Sequence, residues 1–379
     1  MKSRVIFDAV QERFFQGKVL VLTGPRQVGK TTLLKQLVAA TPEPALWLNS
    51  DEPDVREQLS AAGSIQLQNI LGNHRLLLID EAQRVKNIGL VLKLLADQFP
   101  QVQVVATGSS SFELGNEINE PLTGRKWEYQ LYPFSTEELE NHHGQLTERR
   151  NLEQRLIYGS YPDVVNHPAD AVDRLMELTQ NYLYKDLLGL ELMRKPLLLE
   201  KLLQALALQL GQEVSFHELG QLLGTEHRTV EKYLQLLEKC YIVFTLPALS
   251  RNLRNELKKG RKVYFVDNGV RNAIIKNFTP LALRTDTGAL WENFIISERR
   301  KWLHYHRQWV NSYFWRTHSQ QEIDLIEEHG GRMHAFECKW SPRKAAKMPA
   351  SFAQAYPEND FQLINADNYF GFVGKSARL

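Results

Sequence analysis

The chain has 379 residues, enough for two or three domains rather than one. Its 43% hydrophobic and 24% charged residues are those of an ordinary globular chain, and no apolar run approaches membrane-spanning length, so no membrane partner is expected. Lys+Arg 46 against Asp+Glu 44 excludes a globally basic nucleic-acid binder, so any such contact must come from a local patch. Cys240 and Cys338 lie far apart in apolar strings, which predicts reduced core thiols, a cytoplasmic setting and no zinc site.

The amphipathic pattern Val5-Ile6, Ala9-Val10 and Phe14 predicts a helix ahead of the first strand. Lys18 to Leu22 reads as a buried strand and Thr32 to Leu37 as a helix. Between them lies Gly24-Pro25-Arg26-Gln27-Val28-Gly29-Lys30-Thr31. Strand, glycine-rich loop and helix in that order are what a phosphate-binding loop requires. The glycines let backbone N–H groups turn inward on an anion, and the helix adds its positive end. Lys30 is expected to reach the β- and γ-phosphates of ATP, and the Thr31 hydroxyl to ligate Mg²⁺. Gly24, Pro25, Arg26, Gln27, Val28, Gly29, Lys30, Thr31 and Thr32 are the expected nucleotide-binding set.

Ala45 to Asn49 reads as a second strand bracketed by Pro42, Pro44 and Pro53. Arg75 to Glu81 is continuously apolar until it ends in two carboxylates, as expected of a strand buried on both faces of a parallel sheet. Asp80, at its carboxyl end, is expected to hold the Mg²⁺ shell beside Thr31, and Glu81 to polarise the attacking water. Gln101 to Ser109 is a further buried strand ending in hydroxyls, and Ser109 or Thr107 would sense the γ-phosphate. Arg125, just ahead of a strand from Trp127 to Leu131, would stabilise transition-state charge in its own subunit or in a neighbour's within a homo-oligomer. The alternative for Arg125 is a structural salt bridge.

These stretches carry a resemblance. Gly24 to Thr32, Leu78-Ile79-Asp80-Glu81-Ala82-Gln83, Thr107-Gly108-Ser109 and Gly124-Arg125 resemble the AAA-type ATPase domain of a large family of bacterial and archaeal ATP-binding proteins. The C-terminal half of that family is a domain of unknown function. Tyr158-Gly159-Ser160-Tyr161-Pro162 and Lys262 to Gly269 are similar to further landmarks of the same family, so the resemblance covers nearly the whole chain. It implies an ATPase core and leaves the biological role open.

His142 to Arg150 is polar and reads as a linker, with no metal-ligand partners near the paired histidines. Leu152 to Leu210 carries Leu and Tyr at helical spacing, with Tyr182, Tyr184, Leu187 and Leu188 read as core. Ser215-Phe216-His217-Glu218 is a capping-box pattern for a helix from Leu219 to Leu223. Gly224 makes a turn, and Thr225 is expected to cap a longer helix reaching about Lys239. With strands at Tyr241 to Phe244 and Lys262 to Val266, the order is that of a winged helix-turn-helix. Arg251, Arg254, Lys258, Lys259, Arg261 and Lys262 fall between or on these strands, with Glu256 the only acid among them. Together with outward-facing His227, Arg228 and Lys232 they form a patch suited to DNA phosphates. The alternative is a module that packs only on protein.

Gly288 to about Trp302 reads as a helix, followed by strands at Ser312 to Arg316, Gln321 to Glu327 and Arg332 to Trp340. Gly330-Gly331 fits a two-residue hairpin loop that sets His329 opposite Arg332. That register puts Asp324 opposite Glu337 and Glu322 opposite Lys339, all on one face, with Ile323, Leu325 and Cys338 on the other. Facing carboxylates repel unless a cation neutralises them, and Glu292 would be a further ligand for Mg²⁺ or Mn²⁺. Lys339 would then stabilise charge on an attacked phosphate. Glu292, Asp324 and Glu337-Cys338-Lys339 resemble the restriction-endonuclease-like nuclease core, including archaeal Holliday-junction resolvases. The alternatives are a salt-bridged hairpin face and a nuclease fold without activity. Arg343, Lys344 and Lys347 would extend a phosphate-binding surface.

The expected fold class is α/β, with a parallel-sheet AAA-type P-loop ATPase core over 1–140 and a helical connector over 141–210. A winged helix-turn-helix over 211–284 and a restriction-endonuclease-like α/β domain over 285–379 follow. Two functions fit: an ATPase acting on DNA through the last two domains, or an ATP-driven switch that binds protein partners and cuts nothing.

Overall fold

Five short apolar runs build one parallel sheet: Val19–Thr23 (β1), Ala45–Asn49 (β2), Leu76–Asp80 (β3), Gln103–Gly108 (β4) and Lys126–Gln130 (β5). Their order is β2-β3-β4-β1-β5. This computed structural model describes residues 3–60, 62–109, 118–180, 195–250, 260–317 and 319–379. Every residue of β1, β3 and β4 is buried, which is why these strands are continuously apolar rather than alternating. Leu67, Leu71, Ile88, Leu92 and Leu95, on the helices Ser64–Leu71 and Ile88–Gln98, pack on Leu77, Ile79 and Val104 of the sheet. Each such side chain withdrawn from water contributes about 1.5–3 kcal/mol. Thr23 pairs with Gly108 and Ile79 with Ala106, so β1, β3 and β4 end on the same side of the sheet. The first helix is shorter than the sequence pattern suggests, Ile6–Gln11.

The chain divides into two compact units, Met1–Pro133 with Lys239–Tyr241, and Phe134–Glu238 with Ile242–Leu379. The division falls before residue 140 because the helix Thr136–His143 is bonded into the second unit. Thr136 N and Oγ1 donate to Glu298 Oε2 at 2.6 and 2.9 Å, and Glu137 pairs with His306 at 2.7 Å.

In the second unit the stretch expected to be a polar linker is helical, at Thr136–His143 and Gln145–Arg150. Buried Glu148 organises it, pairing with His143 and accepting two 3.0 Å bonds from Arg155. Tyr182, Tyr184, Leu187 and Leu188 lie outside the described residues. Two helices, Phe216–Leu223 and His227–Lys239, meet at Gly224, whose φ of +64° is the left-handed turn expected there. Ser215 caps the first of them through Glu218 N. Thr225 does not cap the second. Its N–H is held by Gly220 O, and Thr229 N and Val230 N donate instead to Glu226 O. Glu213–Val214 (β6), Val243–Pro247 (β7) and Arg261–Phe265 (β8) form an antiparallel sheet in the order β6-β8-β7.

A four-stranded sheet closes the chain: Asn311–Arg316 (β9), Glu322–His329 (β10), Arg332–Cys338 (β11) and Asn359–Ile364 (β12), in the order β12-β11-β10-β9. Gly330 and Gly331 have φ of +58° and +81°, and the ladder runs from His329↔Arg332 to Leu325↔Phe336, the register expected from a two-glycine turn. Strand β12 pairs parallel to β11 and has no counterpart in the sequence reading. A bulge between Ile323 and Ile326 interrupts the pairing with β9. It overturns the expected alternation, because Ile323 and Ile326 enter one core cluster with Ala335 and Phe352 while Leu325 does not. Beside this sheet runs the helix Thr287–Tyr305, buried on nearly all sides.

Candidate functional site

The loop after β1 is shaped by backbone that only certain residues tolerate. Gly24 has φ +144°, and a Cβ there would lie 2.1 Å from Leu131 O. Gly29, at φ +96°, precedes the helix Lys30–Ala39, and Gln27 holds a left-handed φ of +60°. Pro25, Val28 and Lys30 are buried, Arg26 is half-buried, and Gln27, Thr31 and Thr32 are exposed. Lys30 Nζ donates to Gly24 O at 2.8 Å and Pro25 O at 2.9 Å, which draws the ammonium into the curl of the loop.

Thr31 Oγ1 donates to Asp80 Oδ2 at 2.9 Å, and Thr107 Oγ1 to Asp80 Oδ1. Thr107 also accepts from Glu81 N at 3.1 Å. Glu81 has a left-handed φ of +52°, strained for a non-glycine residue. Ser109 Oγ donates to Glu81 Oε2 at 3.3 Å, and Gln83 Nε2 to the same oxygen at 2.6 Å and to Ser109 Oγ at 3.1 Å. The two hydroxyls thus divide the work: Thr107 ties Asp80 to the backbone of Glu81, and Ser109 reaches the Glu81 carboxylate. These residues converge because β1, β3 and β4 end together. A hydroxyl bonded to a carboxylate beside a tight glycine loop that opens a helix fits Mg²⁺ and a polyphosphate. Gln83 Oε1, buried without a hydrogen-bond partner among the described residues, leaves an acceptor beside Glu81 for a further donor.

Two residues of this unit change standing. Arg125 precedes β5, and Val19 N bonds Arg125 O, so it sits at the opening end of β1. At about 3.3 Å per residue that is roughly 13 Å from the phosphate loop. Its guanidinium is held by Asp97 Oδ1 at 2.5 Å, so in its own chain Arg125 is an ion-pair residue and not part of the site. Arg4, which carries no motif, is 5% exposed and donates to Val28 O and Tyr132 O, both at 2.7 Å. It braces the phosphate loop from beneath.

The second unit holds the expected carboxylates together, with an unexpected cation among them. Lys262, read as an exposed member of the basic patch, is 1% exposed. Its Nζ lies 2.5 Å from Glu322 Oε1, 2.9 Å from Glu292 Oε1 and 3.7 Å from Asp324 Oδ1. Tyr264 OH donates to Glu292 Oε1 at 2.7 Å, and Asp324 Oδ2 accepts from Cys338 N at 2.8 Å. Lys339 pairs with Glu337 at 2.5 Å rather than with Glu322, whose partner is Lys262. Burial and the Asp324 charge push the Glu292 carboxyl up to about 7, against the pull of Lys262. Burial would lower the Lys262 ammonium, but Glu292, Asp324 and Glu322 hold it above the usual lysine value. Among the described residues no group of three or more His, Cys, Asp or Glu is arranged to hold a metal ion. Of the expected set, Glu292 and Asp324 face the Lys262 ammonium, and Glu337 is paired with Lys339 instead.

Of the expected basic patch, Arg251, Arg254, Lys258 and Lys259 lie outside the described residues. Arg228 and Lys232 are exposed on the helix His227–Lys239, while His227 is half-buried and its ring stacks on His217 at 4.2 Å. Arg261 lies over the Phe216 ring at 5.8 Å. Arg343, Lys344 and Lys347 are exposed. Cys240 and Cys338 are buried, and neither forms a disulfide among the described residues. No described helix is long and apolar enough to cross a membrane.

Comparison with known proteins agrees with the loop's chemistry. Residues 16–140 match the family model described as an AAA domain, and residues 149–281 and 287–373 match two domains of unknown function. The chain thus carries an AAA-type P-loop domain followed by two domains of unknown function. An uncharacterized protein of Mycobacterium tuberculosis is 28% identical over 327 residues, covering 85% of this chain and 70% of the relative. One of Haemophilus influenzae is 25% identical over 278 residues, covering 68% and 69%. One of Methanocaldococcus jannaschii is 23% identical over 321 residues, covering 72% and 67%. Among solved structures, Pif1 helicase from Candida albicans aligns at 16% identity with a TM-score of 0.27, covering 47% of this chain and 48% of that one. A STAND protein from Pyrococcus horikoshii aligns at 14% and 0.27, covering 79% and 47%, so the chain spans about half the length of these two structures.

Proposed function

We propose that the protein is an Mg²⁺-dependent ATPase that works as a switch, in which ATP turnover in the first unit controls what the second unit binds. The observation that carries this reading is the convergence of Lys30, Thr31, Asp80 and Glu81 at the closing ends of β1 and β3, with Thr31 bonded to Asp80 at 2.9 Å. Gly24 to Thr32 would wrap the phosphates, Lys30 would exchange its loop carbonyls for phosphate oxygens, and Thr31 and Asp80 would hold Mg²⁺. When bound, Mg²⁺ would neutralise charge on the β- and γ-phosphates. Glu81, steered by Ser109 and Gln83, would orient and polarise the attacking water, and Ser109 would respond to the γ-phosphate.

The second unit is read as a winged helix-turn-helix joined to a restriction-endonuclease-like fold that holds no metal and cuts nothing. Lys262 among Glu292, Glu322 and Asp324 supports this over the nuclease reading and leaves Lys339 paired with Glu337. A second reading, DNA as the bound partner, draws on exposed Arg228 and Lys232 on the second helix of the helix–turn–helix. Purified protein would be assayed for ATP turnover and for cleavage of linear, branched and single-stranded DNA, with Mg²⁺, Mn²⁺ or EDTA. ATP turnover that EDTA abolishes, with all DNA intact, is the expected result. DNA cleavage lost in Asp324→Asn would overturn the switch reading. If DNA is the partner, Arg228→Ala with Lys232→Ala should flatten the log–log salt dependence of binding by about two units.

A further inference from the structure

We infer that Lys262 is the resident cation of the Glu292, Glu322 and Asp324 cluster, taking by covalent attachment the place a divalent ion takes in a carboxylate site. This inference deepens the proposed reading of the second unit as metal-free and does not rest on the ATPase reading of the first.

The argument is geometric. Carboxylates from two elements converge here: Glu292 from the helix Thr287–Tyr305, and Glu322 and Asp324 from β10. The bulge between Ile323 and Ile326 interrupts regular pairing at Asp324, where a bulge can re-aim a side chain. Three buried or half-buried carboxylates cannot remain charged without a counter-ion, and a cation or protonation must answer them. The counter-ion comes from a third element. Lys262 on β8 is 1% exposed, and its Nζ lies within 2.9 Å of Glu292 and of Glu322. The Phe314 ring, 5.7 Å from Nζ, forms a further wall of the site.

Two of the oxygens have further partners. Asp324 Oδ2 accepts from Cys338 N, and Glu292 Oε1 accepts from Tyr264 OH as well as from Lys262. A divalent ion needs oxygens at about 2.0–2.6 Å. An ion bound to Glu292 Oε1 and Asp324 Oδ1 would have to share those oxygens with the ammonium of Lys262, a side chain only 1% exposed. Repulsion between the two cations would expel whichever is not covalently held. The cluster therefore serves as a junction that ties β8 to the long helix and to β10 within the second unit.

The test uses the full chain without nucleotide in an Asp80→Asn background, which weakens Mn²⁺ binding at the phosphate loop. Melting temperature is read with millimolar Mn²⁺ or with EDTA. Asp80→Asn should show no Mn²⁺ shift. Adding Lys262→Met should create one of several degrees, and further adding Asp324→Asn should abolish it. An Mn²⁺ shift in Asp80→Asn that Asp324→Asn removes would overturn the inference, as would a folded Lys262→Met protein that gains none. If Lys262→Met does not fold, the Lys262 ammonium is observed by ¹⁵N NMR in Asp80→Asn. Slowly exchanging protons left unbroadened by paramagnetic Mn²⁺ support the inference, and their loss on adding Mn²⁺ refutes it. ATP turnover is not read, so failure here leaves the ATPase proposal standing.

Discussion

Arg4→Met keeps most of the buried stem of Arg4 and removes its guanidinium. In the native protein that group donates to Val28 O and Tyr132 O, both at 2.7 Å, at a residue 5% exposed. Hydrogen bonds from a charged donor contribute about 1.5–3 kcal/mol each, and neither carbonyl can turn to water once the donor is gone. The two are not additive, so the expected loss is about 3–5 kcal/mol. That is a large share of the ~5–15 kcal/mol that holds a typical domain together. Val28 also lies within the phosphate loop, so the loop should loosen. Re-ordering it on binding at roughly 1.4 kcal/mol would weaken ATP about tenfold. Urea unfolding separates these effects if the transition that ATP shifts is followed, because two units need not unfold together. Arg4→Lys should fall between the two proteins, since an ammonium cannot span both carbonyls as a planar fork does. If Arg4→Met unfolds within about 0.5 kcal/mol of wild type and binds ATP as tightly, the bracing role is wrong.

Three further outcomes follow from the same geometry. Gln83→Ala should leave ATP affinity within about twofold and slow hydrolysis about tenfold, because it frees the Glu81 carboxylate without touching the phosphate loop; single-turnover and binding measurements would separate the two. Gly24→Ala should abolish ATP binding measured by calorimetry, since its Cβ would meet Leu131 O at 2.1 Å. Asp286 is opposed by burial, but hydrogen bonds from Arg284 and Arg271 hold its carboxyl at about 2, below the unfolded 3.8. The unfolded chain therefore takes up the proton first, and about 2 kcal/mol of stability present above pH 4 is lost as the pH falls toward 2. Asp286→Asn should lose that part of the acid dependence in urea titrations from pH 5 to 2.

The phosphate loop and the strand ending in Asp80-Glu81 were legible because each is local: a few consecutive residues specify both backbone and chemistry. The Gly330-Gly331 turn was legible for the same reason, and it carried the hairpin register with it. Long-range partners were not. Arg4 reaches Tyr132 across 128 positions, and nothing near Arg4 in the chain marks that contact. Arg125 looked suitable by residue type, but the parallel pairing of β5 with β1 sets it at the wrong end of the sheet. Lys262 misled most. A lysine after a basic run reads as solvated, and only the meeting of β8 with the long helix and β10 shows that it is buried among carboxylates. The bulge at Asp324 was equally hidden, since alternation gives no warning of an inserted residue. The polar run His142 to Arg150 failed as a linker because Glu148 finds both Arg155 and His143.

The central claim is that the first unit hydrolyses ATP with Glu81 acting on water and Lys30 holding phosphate. It is tested most directly by single-turnover hydrolysis of Mg²⁺-ATP, with binding measured in parallel, in wild type, Lys30→Ala and Glu81→Gln. Glu81→Gln should bind ATP within a few-fold of wild type and hydrolyse it about a hundredfold or more slowly, whereas Lys30→Ala should lose most binding. Hydrolysis at the wild-type rate by Glu81→Gln would contradict the account.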